Sequence, residues 1–216
     1  MPSPSVDSLL IGTPLGEARV HLASPEAPAV AALVLGHGAG GGVSAPDLLT
    51  AQGAALEAGL AVVLVEQPYR VAGRRSAPPA ARLDIAWVAV LERLRERELA
   101  HAATAIVVGG RSSGARVACR TARATAAIGV LCLAFPLQPP ARAGAARVAP
   151  SRQPELDGVT VPTLVIQGVN DRFGMPTPAA RREVVTVSGD HGLKRDLPAI
   201  GAAGGRWLNR LTPRAL

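Results

Sequence analysis

The sequence predicts an α/β fold built on a mostly parallel central sheet with helices on both faces. Three observations carry that prediction. The apolar runs Ala32–Leu35, Ala61–Val65, Thr104–Val108, Ile128–Phe135, Thr163–Ile166 and Val184–Val187 are mostly continuous rather than alternating, as strands are when both faces are covered. Helical stretches lie between them, and strand alternating with helix is the signature of a doubly wound sheet. The length, 216 residues, fits one domain spanning residues 1–216 with a single packed core.

The elements follow in order. Ser8–Ile11 and Ala18–Leu22 are shorter candidate strands joined by the turn Gly12-Thr-Pro-Leu-Gly16, so an antiparallel hairpin is expected to lead into the sheet. Ser44-Ala-Pro-Asp47 resembles a capping box with Pro early in the first turn, and Gly59 is a plausible stop for the helix it opens. A second helix is expected over Ala80–Leu99, where Leu83, Trp87, Val90, Leu91 and Leu94 recur at spacings of three and four. A third begins after Ser112, and a last carries Leu197, Ile200, Trp207 and Leu211. Pro136–Pro154, rich in Pro, Ala and Arg, reads as a loop. Little length remains for a large cap.

Composition narrows the function class. Hydrophobic residues make up 48% but aromatics only 2%, so the core is built from Ala, Val, Leu and Ile. The net charge of +7 suggests nucleic-acid binding at first sight. The arginines are spread along the chain, however, and there are few aromatics to stack on bases. Lys194 is the only lysine among 23 basic residues, a profile that fits GC-rich coding better than a nucleic-acid partner. Cys119 and Cys132 lack metal or CxxC spacing and read as buried packing. The N-terminus has no signal-peptide pattern and no apolar stretch reaches membrane-spanning length. A cytoplasmic protein with no membrane partner is expected.

The chemistry-bearing residues fall at strand ends. Ile106-Val-Val-Gly-Gly-Arg-Ser-Ser-Gly114 is a strand running through G-x-S-x-G into a helix. In that arrangement Ser112 sits in a strained turn with its oxygen above the sheet, Gly110 and Gly114 allow strand and helix to approach, and the Ser113 N–H stands free beside the reacting oxygen. Leu33-Val-Leu-Gly-His-Gly-Ala-Gly-Gly-Gly42 is a strand followed by a glycine-rich loop suited to a second oxyanion donor. Ala39 is the expected donor, with Gly38 and Gly40 as neighbours, and His37 is read as holding the loop. Leu164-Val-Ile-Gln-Gly-Val-Asn-Asp171 places an acid just past a strand end, where α/β sheets bind ligands. A plain alternative for Asp171 is capping of the turn at Phe173–Gly174. His191 follows the terminal strand in Val187-Ser-Gly-Asp-His191-Gly, whereas His21 and His101 look like surface or strand-edge residues. Asp190 is a rival acid, but its side chain should point away from its neighbour's. The order Ser112, Asp171, His191 suits acyl transfer in a fold of this kind.

With these motifs the chain resembles the α/β-hydrolase superfamily over nearly its whole length. It is most similar to a small, lidless group related to dienelactone hydrolase. The resemblance rests on Gly36-His-Gly-Ala-Gly-Gly41, Glu66-Gln-Pro-Tyr-Arg70, Gly109-Gly-Arg-Ser-Ser-Gly-Ala-Arg116, Phe135-Pro-Leu137 and Gly189-Asp-His191. It implies a single-domain α/β-hydrolase fold without a large cap and a catalytic triad of Ser112, Asp171 and His191. It does not imply a substrate. Dienelactone hydrolase itself uses a cysteine nucleophile where this chain has Ser112, and some relatives serve as subunits of larger assemblies.

The expected activity is serine-esterase chemistry on a small ester, lactone or thioester, through an acyl-enzyme and with no metal or organic cofactor. Candidate substrate-contacting residues are Gly38, Gly40, Tyr69, Arg70 and Arg111. Arg74 and Arg75 join Arg70 and Arg111 in a possible attraction for an anionic group, set against the plainer reading that these arginines are solvated or paired with acids. Two other functions compete. Gly36–Gly41 also fits G-x-G-x-x-G, with Glu66 ending the next strand, in outline a dinucleotide site. A hydrolase-shaped interaction or scaffold protein without catalysis is the other.

Overall fold

The computed structural model describes residues 7–100, 105–139 and 149–212. Its centre is one eight-stranded sheet in the order β1-β2-β4-β3-β5-β6-β7-β8. Strands β1 (Asp7–Thr13) and β2 (Gly16–Ala23) form the expected antiparallel hairpin, with Gly16 at φ 106° closing the turn. β2 pairs antiparallel with β4 (Leu60–Glu66). From there β4, β3 (Ala31–Gly36), β5 (Ile106–Arg111), β6 (Gly129–Leu133), β7 (Thr163–Gly168) and β8 (Arg182–Val187) are all parallel.

The chain steps from β3 to β4 in one direction and from β4 back past β3 to β5 in the other. Crossovers are right-handed, so this reversal sends the connecting helices to opposite faces. Helix α1 (Pro46–Glu57) and the C-terminal α6 (Leu197–Leu211) cover one face, with Leu33, Leu35, Val62 and Leu131 beneath them. Helices α3 (Ala80–Glu96) and α4 (Ser113–Thr121) cover the other, over Val34, Val63, Val108 and Val130. Alternate residues of each continuous apolar run thus serve opposite cores. Burying each such side chain contributes roughly 1.5–3 kcal/mol. Each core holds one buried tryptophan, Trp87 on α3 and Trp207 on α6.

Several local expectations needed correction. The capping box at Ser44 does not form: α1 begins at Pro46 after Ala45, whose side chain cannot cap, and Asp47 turns inward instead. Gly59, at φ 84°, does follow the helix end. Two short helices were missed, α2 (Pro68–Val71) and α5 (Gln153–Asp157), each opened by an early Pro. α5 lies inside the expected loop Pro136–Pro154 and beyond it; residues 140–148 of that loop, like Thr104 and His101, lie outside the described residues. Cys119 and Cys132 are buried and free, with their sulfurs 3.5 Å apart. Among the described residues no helix is long and apolar enough to cross a membrane.

Candidate active site

The point where strand order reverses, between the carboxyl ends of β3 and β5, is where open α/β sheets form their binding crevice. Ser112 stands there, between β5 and α4, at φ 52° and ψ −108°. A non-glycine residue in that region is strained, and the strain is held by packing on three sides. A Cβ at Gly110 would lie 2.4 Å from the Gly36 carbonyl oxygen, and one at Gly114 only 2.3 Å from it. Glycine at both positions is what lets β5, α4 and the end of β3 meet. The Ser112 N–H donates to Leu133 O at 2.9 Å, which ties the turn to β6.

The loop after β3 runs past this turn. His37 is 3% exposed and bonded at both ring nitrogens. Its Nε2 accepts the Gln67 N–H at 3.1 Å, so its Nδ1–H donates to Gly38 O at 2.8 Å. Burial above all holds its pKa below the ordinary value, and the charge of half-buried Arg70 adds to this. A neutral, doubly bonded imidazole is a loop anchor, as read from the sequence. Tyr69, on α2, donates its hydroxyl to Ala39 O at 3.0 Å and is 7% exposed. Burial pushes its phenol up. It supports the loop from behind and offers little surface to a substrate. With the carbonyls of Gly38 and Ala39 both engaged by side chains, the backbone at Ala39 is fixed. Among the described residues neither the Ala39 nor the Ser113 N–H donates to a protein acceptor.

The other half of the site comes from the ends of β7 and β8. His191 Nε2 lies 2.9 Å from Ser112 Oγ, and its Nδ1 lies 2.8 Å from Asp171 Oδ2. A carboxylate only accepts, so Nδ1 carries the proton and Nε2 is left to accept from the Ser112 hydroxyl. The Asp171 side chain is fully buried and that of His191 is 18% exposed. Both readings of Asp171 hold together. Its Oδ1 accepts the Phe173 N–H at 2.9 Å, capping the turn, while Oδ2 faces the imidazole. The rival Asp190 is occupied by its own turn, accepting the Gly192 N–H at 2.8 Å.

Two residues that support this half escaped sequence reasoning. Gln167, fully buried at the end of β7, donates from its amide to Asp171 Oδ2 at 2.8 Å and contacts the Phe135 and Gly174 carbonyls at 3.0 Å. A polar residue directly ending the apolar run Thr163–Ile166 was the available signal. Phe173 packs its ring on His191 with centroids 4.3 Å apart. Arg111, a candidate for anionic substrates, is instead directed into the protein, with Nε 3.0 Å from Asp47 Oδ2 and Nη2 donating to His191 O at 2.9 Å. Arg74 and Arg75 are exposed. Arg74 lines a cleft of about 480 Å³ with Pro68, Tyr69, Pro79 and Arg82, and none of Ser112, Asp171 and His191 lines it. Glu66, which a dinucleotide site would turn to a ribose, pairs with His21 at 2.7 Å across β2 and β4. His21 is thus partly buried on an interior strand.

The comparisons agree with this fold. No curated protein matches the sequence. The fold is similar to that of an α/β serine hydrolase without a lid from Xanthomonas campestris, at TM-score 0.78 and 22% identity, covering 100% of this chain and 99% of that one. It is similar to dienelactone hydrolase from Anabaena variabilis, at TM-score 0.74 and 17% identity over 96% and 98% of the two chains. It is also similar to Est1E from Butyrivibrio proteoclasticus, at TM-score 0.75 and 15% identity over 96% and 99%. Residues 29–196 match the family described as an α/β-hydrolase domain, which takes in every segment that builds the site, and the chain belongs to that family.

Proposed function

We propose that this protein is a serine hydrolase that cleaves small ester-type substrates through an acyl-enzyme. The observation that carries the reading is the continuous chain Ser112 Oγ, His191 Nε2, His191 Nδ1, Asp171 Oδ2, with links of 2.9 and 2.8 Å. Packing alone gives no reason for a hydroxyl, an imidazole and a buried carboxylate to align in this order.

Ser112 Oγ attacks the substrate carbonyl carbon while its proton passes to His191 Nε2. Buried Asp171 stabilises the resulting imidazolium and keeps the ring oriented. The carbonyl electrons move onto oxygen, and the free N–H groups of Ser113 and Ala39 are placed to hold that oxyanion, Ser113 at the positive end of α4. Collapse breaks the acyl bond to the leaving group and expels an alkoxide, or a thiolate from a thioester, which takes the proton from Nε2. A water, deprotonated by the same nitrogen, then attacks the acyl carbon; the bond to Ser112 Oγ breaks, Oγ takes the proton back from Nε2, and the acid is released. Ester, lactone and thioester carbonyls all fit this sequence. The absence of a cap among the described residues favours small or flexible acyl groups.

The test is labelling with a fluorophosphonate probe, wild type beside Ser112→Ala. Labelling of the wild type alone is expected, followed by turnover of short p-nitrophenyl esters. Labelling of both proteins, or of neither, overturns the proposal, and the latter result returns the chain to an interaction role.

A further inference from the structure

The geometry points to Arg111 as a positioning residue that, anchored on buried Asp47, braces the backbone of His191 against the serine turn. This rests on the reading of Ser112 and His191 as a working pair. Three segments meet at the guanidinium. Its Nε lies 3.0 Å from Oδ2 of Asp47 in the first turn of α1. Its Nη2 donates to the carbonyl of His191 at 2.9 Å. Its Nη1 lies against the oxyanion loop, where a Cβ on Gly38 would stand 2.9 Å away. Arg111 is also joined to Ser112 by a peptide bond. One planar group therefore connects the serine turn, the loop after β3, the start of α1 and the histidine loop.

Backbone bonds tie the histidine loop at its neighbours, Asn170 N–H to Gly189 O at 2.9 Å and Leu193 N–H to Asp190 O at 3.2 Å. Among the described residues no other side chain hydrogen-bonds the His191 backbone. The imidazole ring is fixed at both nitrogens, but the main chain carrying it follows the edge strand β8. The anchor is correspondingly rigid. The Asp47 side chain is fully buried and that of Arg111 is 19% exposed. Oδ1 of Asp47 accepts the Leu48 N–H at 3.1 Å, whereas Oδ2 has no aligned donor and meets Arg111 through charge. Burial pushes the Asp47 carboxyl up, and Arg111 opposes that rise. Buried ion pairs contribute little net stability against apolar replacements of similar volume. A planar fork with donors on several edges nevertheless holds a carboxylate and a carbonyl at fixed separation, which an ammonium cannot. An arginine spent in this way is not available to recruit an anionic substrate.

The test compares wild type, Arg111→Lys and the charge-neutral pair Arg111→Met/Asp47→Asn, which leaves no unpaired buried charge. Each is measured for urea midpoint, for fluorophosphonate labelling rate and for kcat and KM on two esters, p-nitrophenyl acetate and the anionic mono-p-nitrophenyl succinate. Both variants are expected to keep a midpoint close to wild type. Their kcat should fall by about 10- to 100-fold, equally on both esters, since a misplacement near 1 Å costs about 10²-fold. KM should stay within about twofold, and labelling should slow by the same factor as kcat. Arg111→Lys, which keeps the positive charge beside Asp47, should keep the midpoint of wild type but not its kcat. A folded double variant with wild-type kcat overturns the brace while leaving the serine hydrolase intact. A loss confined to KM for the anionic ester also overturns it, in favour of substrate binding. Wild-type protein that neither labels nor hydrolyses overturns both readings together.

Discussion

Replacing Gly114 by Ala puts the packing behind the serine turn to a quantitative test. The added methyl would stand 2.3 Å from Gly36 O, 2.5 Å from Gly36 C and 2.9 Å from His37 O. All three are backbone atoms, so no side chain can rotate away. Reaching ordinary van der Waals separation requires β3 and α4 to part by about 1 Å. Overpacking of this kind costs roughly 1–3 kcal/mol. The segment that must move leads directly into Ala39, the proposed oxyanion donor. Displacing a donor by about 1 Å costs on the order of 10²-fold in rate, and losing it outright costs about 10²–10³-fold. Gly114→Ala should therefore lower the urea midpoint and reduce kcat on p-nitrophenyl acetate by about 10²-fold. Gly53→Ala is the matched control. It adds the same methyl within α1, where nothing lies within 4 Å, and should stabilise by up to about 1 kcal/mol with kcat unchanged. A Gly114→Ala protein with wild-type midpoint and kcat refutes the steric argument. Equal destabilisation by Gly53→Ala would show that the loss has nothing to do with the contact at Gly36.

Other expectations are as direct. Asp171→Asn should preserve the Phe173 cap but leave His191 Nδ1 without a carboxylate, lowering kcat by about 10⁴-fold with a smaller change in stability; an activity within tenfold of wild type would remove Asp171 from the mechanism. His37 should make stability depend on pH. Its folded-state pKa lies below the ordinary 6.5, so the unfolded chain binds the proton first as pH falls. The stability its neutral form contributes is present above pH 6.5 and lost below it. Urea midpoints between pH 7.5 and 5 should fall more steeply for wild type than for His37→Gln, and parallel slopes would contradict this. Leu94→Ala, at a position with no exposure on α3, should cost about 2–5 kcal/mol in urea unfolding, and a loss below 1 kcal/mol would mean that this core closes over the gap.

The residues differ in how legible they were. The inner parallel strands were plain because both of their faces are buried, so that apolar runs such as Leu33–Leu35 and Thr163–Ile166 are unbroken, whereas the edge strand β8 exposes Glu183 and Thr186. Ser112, Asp171 and His191, which the structure brings together, were legible as candidates because each follows a strand end, a position readable from local pattern. Phe173 and Gln167 were not, because their roles depend on which ring or carboxylate the fold brings beside them. Arg111 shows the same limit more sharply. Its charge suggested an anionic ligand, but its partners lie 64 residues before it and 80 after it in the chain. The failed capping box at Ser44 has a related cause, since buried Asp47 pairs with the half-buried Arg111 and does not serve the helix end.

The single tryptophan in each core has a spectroscopic consequence. The chain has two tryptophans and one tyrosine, so its intrinsic emission comes almost entirely from indoles on opposite sides of the sheet. Trp87 lies against Gly36, with a ring carbon 3.2 Å from where a Cβ there would stand, and so reports on the layer that holds the serine turn. Trp207 reports on the layer formed by α1 and α6. Replacing one or the other by phenylalanine gives two proteins that each emit from one layer. Coincident denaturation curves would show that the two layers melt as a single cooperative unit, and separated curves would show which layer lets go first.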